Sequence, residues 1–196
     1  AHIKALGANP SLISVVGDDE VAKKARKELE LMNINFELIE DKNRPTTLKK
    51  RYLVENQKIL RVSKLEEKNI SKDIEEKIIN TIKKAAKNCK GIVVSDFVYG
   101  LVTPRILDKI NQVAKEYDLF LFGDTQCSSQ VGEITRFKDF SVICPNEKEA
   151  RIALKDKDSG LETICQELIK TTRTDGLIIT LGAEGLIAFD CKNNNK

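Results

Sequence analysis

Short β-branched and aromatic runs recur along the chain, and stretches of helical period fill most of the gaps between them. "SLISVV" (Ser11–Val16) leads to Gly17 and two aspartates able to cap a helix. Val21, Ala25, Leu29 and Met32 then recur at helical spacing, and "INFELI" follows as a second strand. Further on, Ile74, Ile78, Ile82, Ala85 and Cys89 share a helix face ahead of "GIVVSD", and Ile106, Ile110, Val113 and Tyr117 share another, after Pro104 and ahead of "LFLFGD". "FSVIC", a helix after Asn146, a helix near Leu161 to Lys170 and the strand "GLIITLG" complete the series. Alternation of this kind predicts an α/β chain with a parallel sheet, read here as one three-layer domain over residues 1–196.

Two segments break the rhythm. Between Arg44 and Glu66, "TLKKRYLV" and "KILRVSK" are β-prone and separated by the polar "ENQ", which predicts a hairpin projecting from the sheet. "LIAFD", opened by Gly185, reads as a strand antiparallel to its predecessor. The start, "AHIKALGANP", has no initiator methionine and reads as the end of an apolar helix closed by Gly7, so the chain is expected to be an internal piece of a longer protein.

Composition removes several function classes. With 32% charged residues but a formal net charge of only +3, and no clustering of cations into one face, a nucleic-acid partner is not indicated. No run approaches the ~20 apolar residues that span a bilayer, and no signal-peptide succession opens the chain, so a protein free of the membrane and not exported is expected. Cys89, Cys127, Cys144, Cys165 and Cys191 stand singly, and the lone His2 has no cysteine nearby, which disfavours a zinc site and fits reduced thiols in a cytoplasm.

In an open parallel sheet, ligands collect at the carboxyl ends of the strands, because loops and helix N-termini converge there. The polar residues at those ends are Gly17 with Asp18, Asp96, Asp124, Asn146 with Glu149, and Thr180 with Gly182. Asn146 followed three residues later by Glu149 imitates a capping box, and the same pair suits a magnesium ion held through water. In "TLGAEG", Gly182 and Gly185 permit positive φ, which serves a tight turn between strands equally well as amides turned toward a phosphate; the G-K-[ST] element of a Walker loop is missing. Asp96 can accept from a sugar hydroxyl or cap its own loop. Strand alternation places Lys49 and Arg51 on one face of the hairpin, with Arg61 on the returning strand and Arg44 at its start. Such cations suit a phosphorylated substrate, and they equally suit a solvated edge. "KKARK" (Lys23–Lys27) reads as a solvated helix face, and Cys127 has no histidine nearby to activate it as a nucleophile.

Taken in order, "ALGANPSLISVVGDDE", "RPTTLKKRYLVENQKILRVSKLEE", "GIVVSDFVYGLVTP", "CPNEKEA" and "IITLGAEGL" resemble the ribokinase-like, PfkB-type carbohydrate kinases, and among them most of all the heptose 7-phosphate kinases of lipopolysaccharide precursor synthesis. The resemblance implies a Rossmann-like ribokinase fold with a lid hairpin at about residues 44–66, incomplete at both ends. It implies ATP and Mg²⁺ as cofactors, with Asn146 and Glu149 in the family's N-x-x-E motif, and with Thr180, Gly182 and Gly185 at the phosphates of ATP. Lys49, Arg51 and Arg61 then match basic lid positions near a sugar phosphate, Asp96 lies in the loop facing the sugar, and hairpins of two copies can pair into a homodimer.

The departures from that family are as definite. Its double-glycine motif would precede Ala1 and its G-A-G-D motif, which carries the general base, would follow Lys196, so this segment alone is expected to lack catalysis. Asp124, Thr125 and Gln126 stand where many relatives have aspartate, proline and lysine, and Ser63 stands where heptose kinases often carry an acid. A kinase of another sugar, such as a phosphorylated hexose, and a binding module without turnover are the competing expectations. A dinucleotide-dependent oxidoreductase is disfavoured because no G-x-G-x-x-G follows the first strand.

Overall fold

The structure is a computed structural model and describes residues 2–55, 57–126 and 133–191, together with the backbone but not the side chain of Lys58. The chain forms two compact units, residues 1–85 with 99–101, and residues 86–98 with 102–196.

In the first unit, β1 (Ser11–Val16) and β2 (Asn35–Glu40) pair in parallel from Ser11 opposite Asn35 to Val16 opposite Glu40. The crossover is α2 (Glu20–Leu31), whose first turn is capped by Asp19: its carboxylate accepts from the Ala22 amide. Burial of Val16, Ala22 and Leu38, with Ala25, Leu29 and Phe36 packed around them, fastens the helix to the pair. A short helix, α1 (His2–Ala5), precedes them, as the opening residues suggested. α3 (Lys72–Ala86) buries Ile74, Ile78 and Ile82 along the anticipated stripe and adds Ile79.

β3 (Leu48–Val54) and β4 (Gln57–Lys64) form the antiparallel hairpin. The register puts Lys49 opposite Ser63 and Arg51 opposite Arg61. These four therefore share one face, while Lys50, Tyr52, Leu60 and Val62 share the other. A bulge falls between Tyr52 and Leu53. Tyr52, Leu60 and Val62 are all exposed, at 51%, 55% and 46%, so the hairpin carries a basic face and an apolar one.

The second unit is a five-stranded sheet in the order β5 (Gly91–Asp96), β6 (Phe120–Thr125), β7 (Val142–Ile143), β8 (Gly176–Thr180) and β9 (Leu186–Asp190). The first four are parallel and β9 is antiparallel, as its sequence suggested. Each crossover steps in the same direction along the sheet, so right-handed connections place α4 (Pro104–Tyr117), α5 (Glu147–Leu154) and α6 (Leu161–Thr172) on one face. Val94, Leu121, Ile143, Leu177 and Ile179 are buried there, as are Ile110, Val113, Phe137, Phe140, Ile164 and Leu168. On the opposite face Val93 and Phe120 stay exposed.

Where alternation reads as one sheet, hydrogen bonds divide the strands into the β1–β2, β3–β4 and β5–β9 ladders. Periodicity reports which strands have a buried face, not which edges pair. Among the described residues no helix is long and apolar enough to cross a membrane.

Candidate functional site

At the carboxyl end of the second unit's sheet, two segments far apart in sequence meet. Asn146, just past β7, forms a parallel bridge with Thr180, the last residue of β8, and the Thr180 amide donates to the Pro145 carbonyl at 3.0 Å. The capping box at α5 is complete: the Glu149 amide donates to Asn146 Oδ1 at 2.8 Å, and the Asn146 amide donates to Glu149 Oε2 at 2.9 Å. Thus both amides are satisfied, the box orients the Glu149 carboxylate, and Glu149 is buried at 6% exposure while Asn146 stays exposed.

After Thr180 the chain makes a single 3₁₀ turn, Gly182–Glu184, closed by the Leu181 amide on the Gly185 carbonyl at 2.8 Å. Gly182 and Gly185 have φ of +64° and +105°, and nothing lies within 4 Å of a Cβ built on either. Backbone conformation rather than crowding is what requires glycine here. The turn is exposed, as is Thr180.

Asp124, near the end of β6, belongs to the same end of the sheet. Its carboxyl is held above the ordinary carboxylate range by partial burial and by the negative charge of Glu149, against a hydrogen bond from Gln126 Nε2 at 3.3 Å. The Cys144 thiol is pushed up in turn, by burial and then by Asp124. Beside Asp124, Thr125 Oγ1 is buried with no hydrogen-bond partner among the described residues. Among those residues no three His, Cys, Asp or Glu side chains converge as a metal cage. What this end of the sheet offers is two carboxylates that repel each other beside exposed backbone. Such a donor set fits a hard cation that keeps most of its waters, and the glycine turn fits a phosphate.

Asp96 closes β5 at 2% exposure with both oxygens engaged. Oδ1 accepts from the Val98 amide and Oδ2 from Arg136 Nη1, both at 2.8 Å, and Arg136 also donates to the Val102 carbonyl. Burial raises the Asp96 carboxyl, opposed by the Val98 amide and the Arg136 charge. Its visible role is therefore to shape the loop after β5, where Val98 is held at φ +61°, an uncommon conformation for a β-branched residue. Arg136 was not singled out from sequence: it lies forty residues from Asp96, in "EITRF", with no local pattern to mark it.

In the first unit the hairpin's basic face comprises Lys49, Arg51 and Arg61, as alternation anticipated. Lys49 Nζ stands 4.9 Å from the centroid of the Tyr99 ring, and Arg51 and Arg61 are exposed. Arg44 is different: it is mostly buried beside Asp41 and donates to the carbonyls of Tyr99 and Lys68. In "KKARK", Arg26 departs from the solvated reading by donating to the Leu38 carbonyl at 2.9 Å. Cys127 lies outside the described residues.

The sequence pattern of the pfkB family carbohydrate kinases matches residues 1–196. The bifunctional protein HldE of Campylobacter jejuni is 30% identical over 194 residues, which are 97% of this chain and 40% of that protein. HldE of Geotalea uraniireducens is 28% identical, over 96% of this chain and 38% of its own length. The chain therefore spans about 40% of the length of these curated relatives. Among solved structures, ribokinase from Giardia lamblia superposes with a TM-score of 0.73 at 14% identity, covering 93% of this chain and 56% of that one. Phosphofructokinase-2 from Escherichia coli gives 0.75 at 14% identity, covering 97% and 62%. These likenesses establish a ribokinase-like α/β fold, and with the match along its whole length the chain belongs to the pfkB family of carbohydrate kinases.

Proposed function

We propose that this chain is the central part of a kinase that transfers the γ-phosphoryl group of ATP to a hydroxyl of a sugar phosphate, with heptose 7-phosphate as the acceptor. The observation that carries the reading is the Asn146–Thr180 bridge, which sets an oriented carboxylate beside an exposed glycine turn. Family membership supports the reaction class, and the heptose rests on the hairpin segment and on "SDFVYG", which resemble the heptose 7-phosphate kinases.

In this reading Glu149, with Asn146, holds waters of a magnesium ion, and Thr180, Gly182 and Gly185 line the ATP phosphates. When bound, Mg²⁺ offsets negative charge on the phosphate oxygens during transfer. Glu149 is suited to this because the Asn146 amide, donating to its Oε2, holds the carboxylate in place. Lys49, Arg51 and Arg61 take the acceptor's own phosphate, and Asp96 with Arg136 keeps the loop after β5 in shape for the sugar. The relatives extend well beyond the matched region, and the general base is assigned to an aspartate in the corresponding extension. The exposed apolar face of the hairpin, Tyr52, Leu60 and Val62, would be covered by the hairpin of a second copy. A second acceptor, a phosphorylated hexose, is favoured by Ser63, which faces Lys49 across the hairpin with a neutral side chain.

A coupled ATPase screen of the full-length protein against sugars and sugar phosphates tests this. Turnover with heptose 7-phosphate above all other acceptors is expected. Turnover with a hexose phosphate alone selects the second acceptor, and none with any sugar overturns the reading.

A further inference from the structure

The hairpin's two limbs converge on a knot of buried polar contacts. Asp41, just past β2, is 7% exposed; its amide donates to the Val16 carbonyl at 2.8 Å, and its Oδ1 accepts from the Asn43 amide at 3.0 Å. Its Oδ2 stands 3.5 Å from Arg44 Nε, both side chains being about a tenth exposed. From there the guanidinium reaches two carbonyls on other segments, Tyr99 with Nη1 at 3.3 Å and Lys68 with Nη2. A planar fork with donors along two edges can do this, and a lysine ammonium on a flexible stem cannot span the same set.

Each limb has a second fastening. On the ascending side the Gly17 amide donates to Thr46 Oγ1 and the Thr46 amide to Asp19 Oδ2, both at 2.9 Å, while Asp19 Oδ1 caps α2. A Cβ at Gly17 would lie 2.4 Å from the Arg44 carbonyl, so only glycine admits this approach. On the descending side Glu66 Oε1 accepts from the Glu67 and Lys68 amides, and the Ile70 amide donates to Gly100. Gly100, at φ +74°, presses so closely on Lys68 that a Cβ would meet its carbonyl oxygen at 2.1 Å. Above this root β3 and β4 pair with each other, and Lys50 to Val54 and Ile59 to Lys64 are exposed.

We propose that Arg44 is a positioning residue that locks the ascending limb of the hairpin to the descending limb and to the Tyr99 loop, and so fixes the direction in which Lys49, Arg51 and Arg61 are presented. Arg44 acts through the hairpin and does not itself bind the acceptor. The kinetic consequence rests on the kinase reading above; the mechanical one does not.

The test compares the full-length wild type with Arg44→Gln and Arg44→Lys by hydrogen exchange and by steady-state kinetics. Amides of β3 and β4 are expected to exchange about tenfold faster in Arg44→Gln and less markedly in Arg44→Lys, with α2 and β6 unchanged. The acceptor KM should rise about tenfold with kcat and the KM for ATP within a factor of about two, and Arg44→Lys should recover part of the loss. Hairpin exchange unchanged in Arg44→Lys overturns the proposal, as does acceleration of α2 to the same extent in either variant, which would mean general loosening of the unit. If Arg44→Gln does not fold, Arg44→Lys decides alone. If the full-length protein phosphorylates no sugar, the kinase reading falls and the exchange result still decides the clasp.

Discussion

Asn146 and Thr180 lie side by side as a parallel bridge although thirty-four residues separate them, and the amide of Thr180 donates to the carbonyl just before Asn146. The cap of α5 and the turn after β8 are thereby parts of one surface. Asn146 caps the helix, whereas the Glu149 carboxylate has, in the proposed function, a second use in holding the waters of a cation.

That division separates two variants. Asn146→Ala removes the acceptor of the Glu149 amide and should cost about 1 kcal/mol of stability, read as a lower midpoint in urea. Glu149→Gln keeps an oxygen for the Asn146 amide and should leave the midpoint nearly unchanged.

Asp124 reports on Glu149 directly. Burial and the Glu149 charge raise its carboxyl above the ordinary 3.8. The folded state therefore binds this proton more tightly than the unfolded one, so stability should fall as pH rises from 3.8 through the folded value. Asp124→Asn should abolish that part of the pH dependence. Carboxyl chemical shifts across a pH titration should show Asp124 titrating high in the wild type and lower in Glu149→Gln. No movement on that substitution would mean the two carboxylates are not neighbours.

The buried Asp96–Arg136 pair should matter to stability more than any exposed ion pair. Arg136→Met leaves a carboxylate with 2% exposure without its cation, at a cost of about 3 kcal/mol. Arg173 and Asp139, paired at 2.7 Å but on the surface, should cost less than about 1 kcal/mol by a double-mutant cycle.

How far the sequence foretold all this depends on the distance between partners. The capping box was legible because its members are three residues apart, and the hairpin's basic face because strand period is two. "FSVIC" was legible as a strand, although pairing is confined to Val142 and Ile143. Arg136 was not, because its target lies on another element. For Arg44 the sequence leaves open a cation for a phosphorylated substrate or one on a solvated edge, since nothing local shows that Asp41 and two distant carbonyls claim it. The candidate site was thus visible as separate residue types, and the partners that orient them only in three dimensions.

On the hairpin, Arg61→Ala in the full-length protein should raise the KM of a phosphorylated sugar about tenfold and leave the KM of ATP unchanged, because Arg61 stands on the basic face opposite Arg51. Equal effects on both substrates would remove the hairpin from the acceptor site.

The most direct measurement is the Mg²⁺ dependence of phosphoryl transfer by full-length Glu149→Gln beside the wild type, at saturating ATP and sugar phosphate. The account predicts a lower kcat and a half-saturating Mg²⁺ concentration raised about tenfold, with the acceptor KM unchanged. Identical Mg²⁺ curves for the two proteins would contradict it.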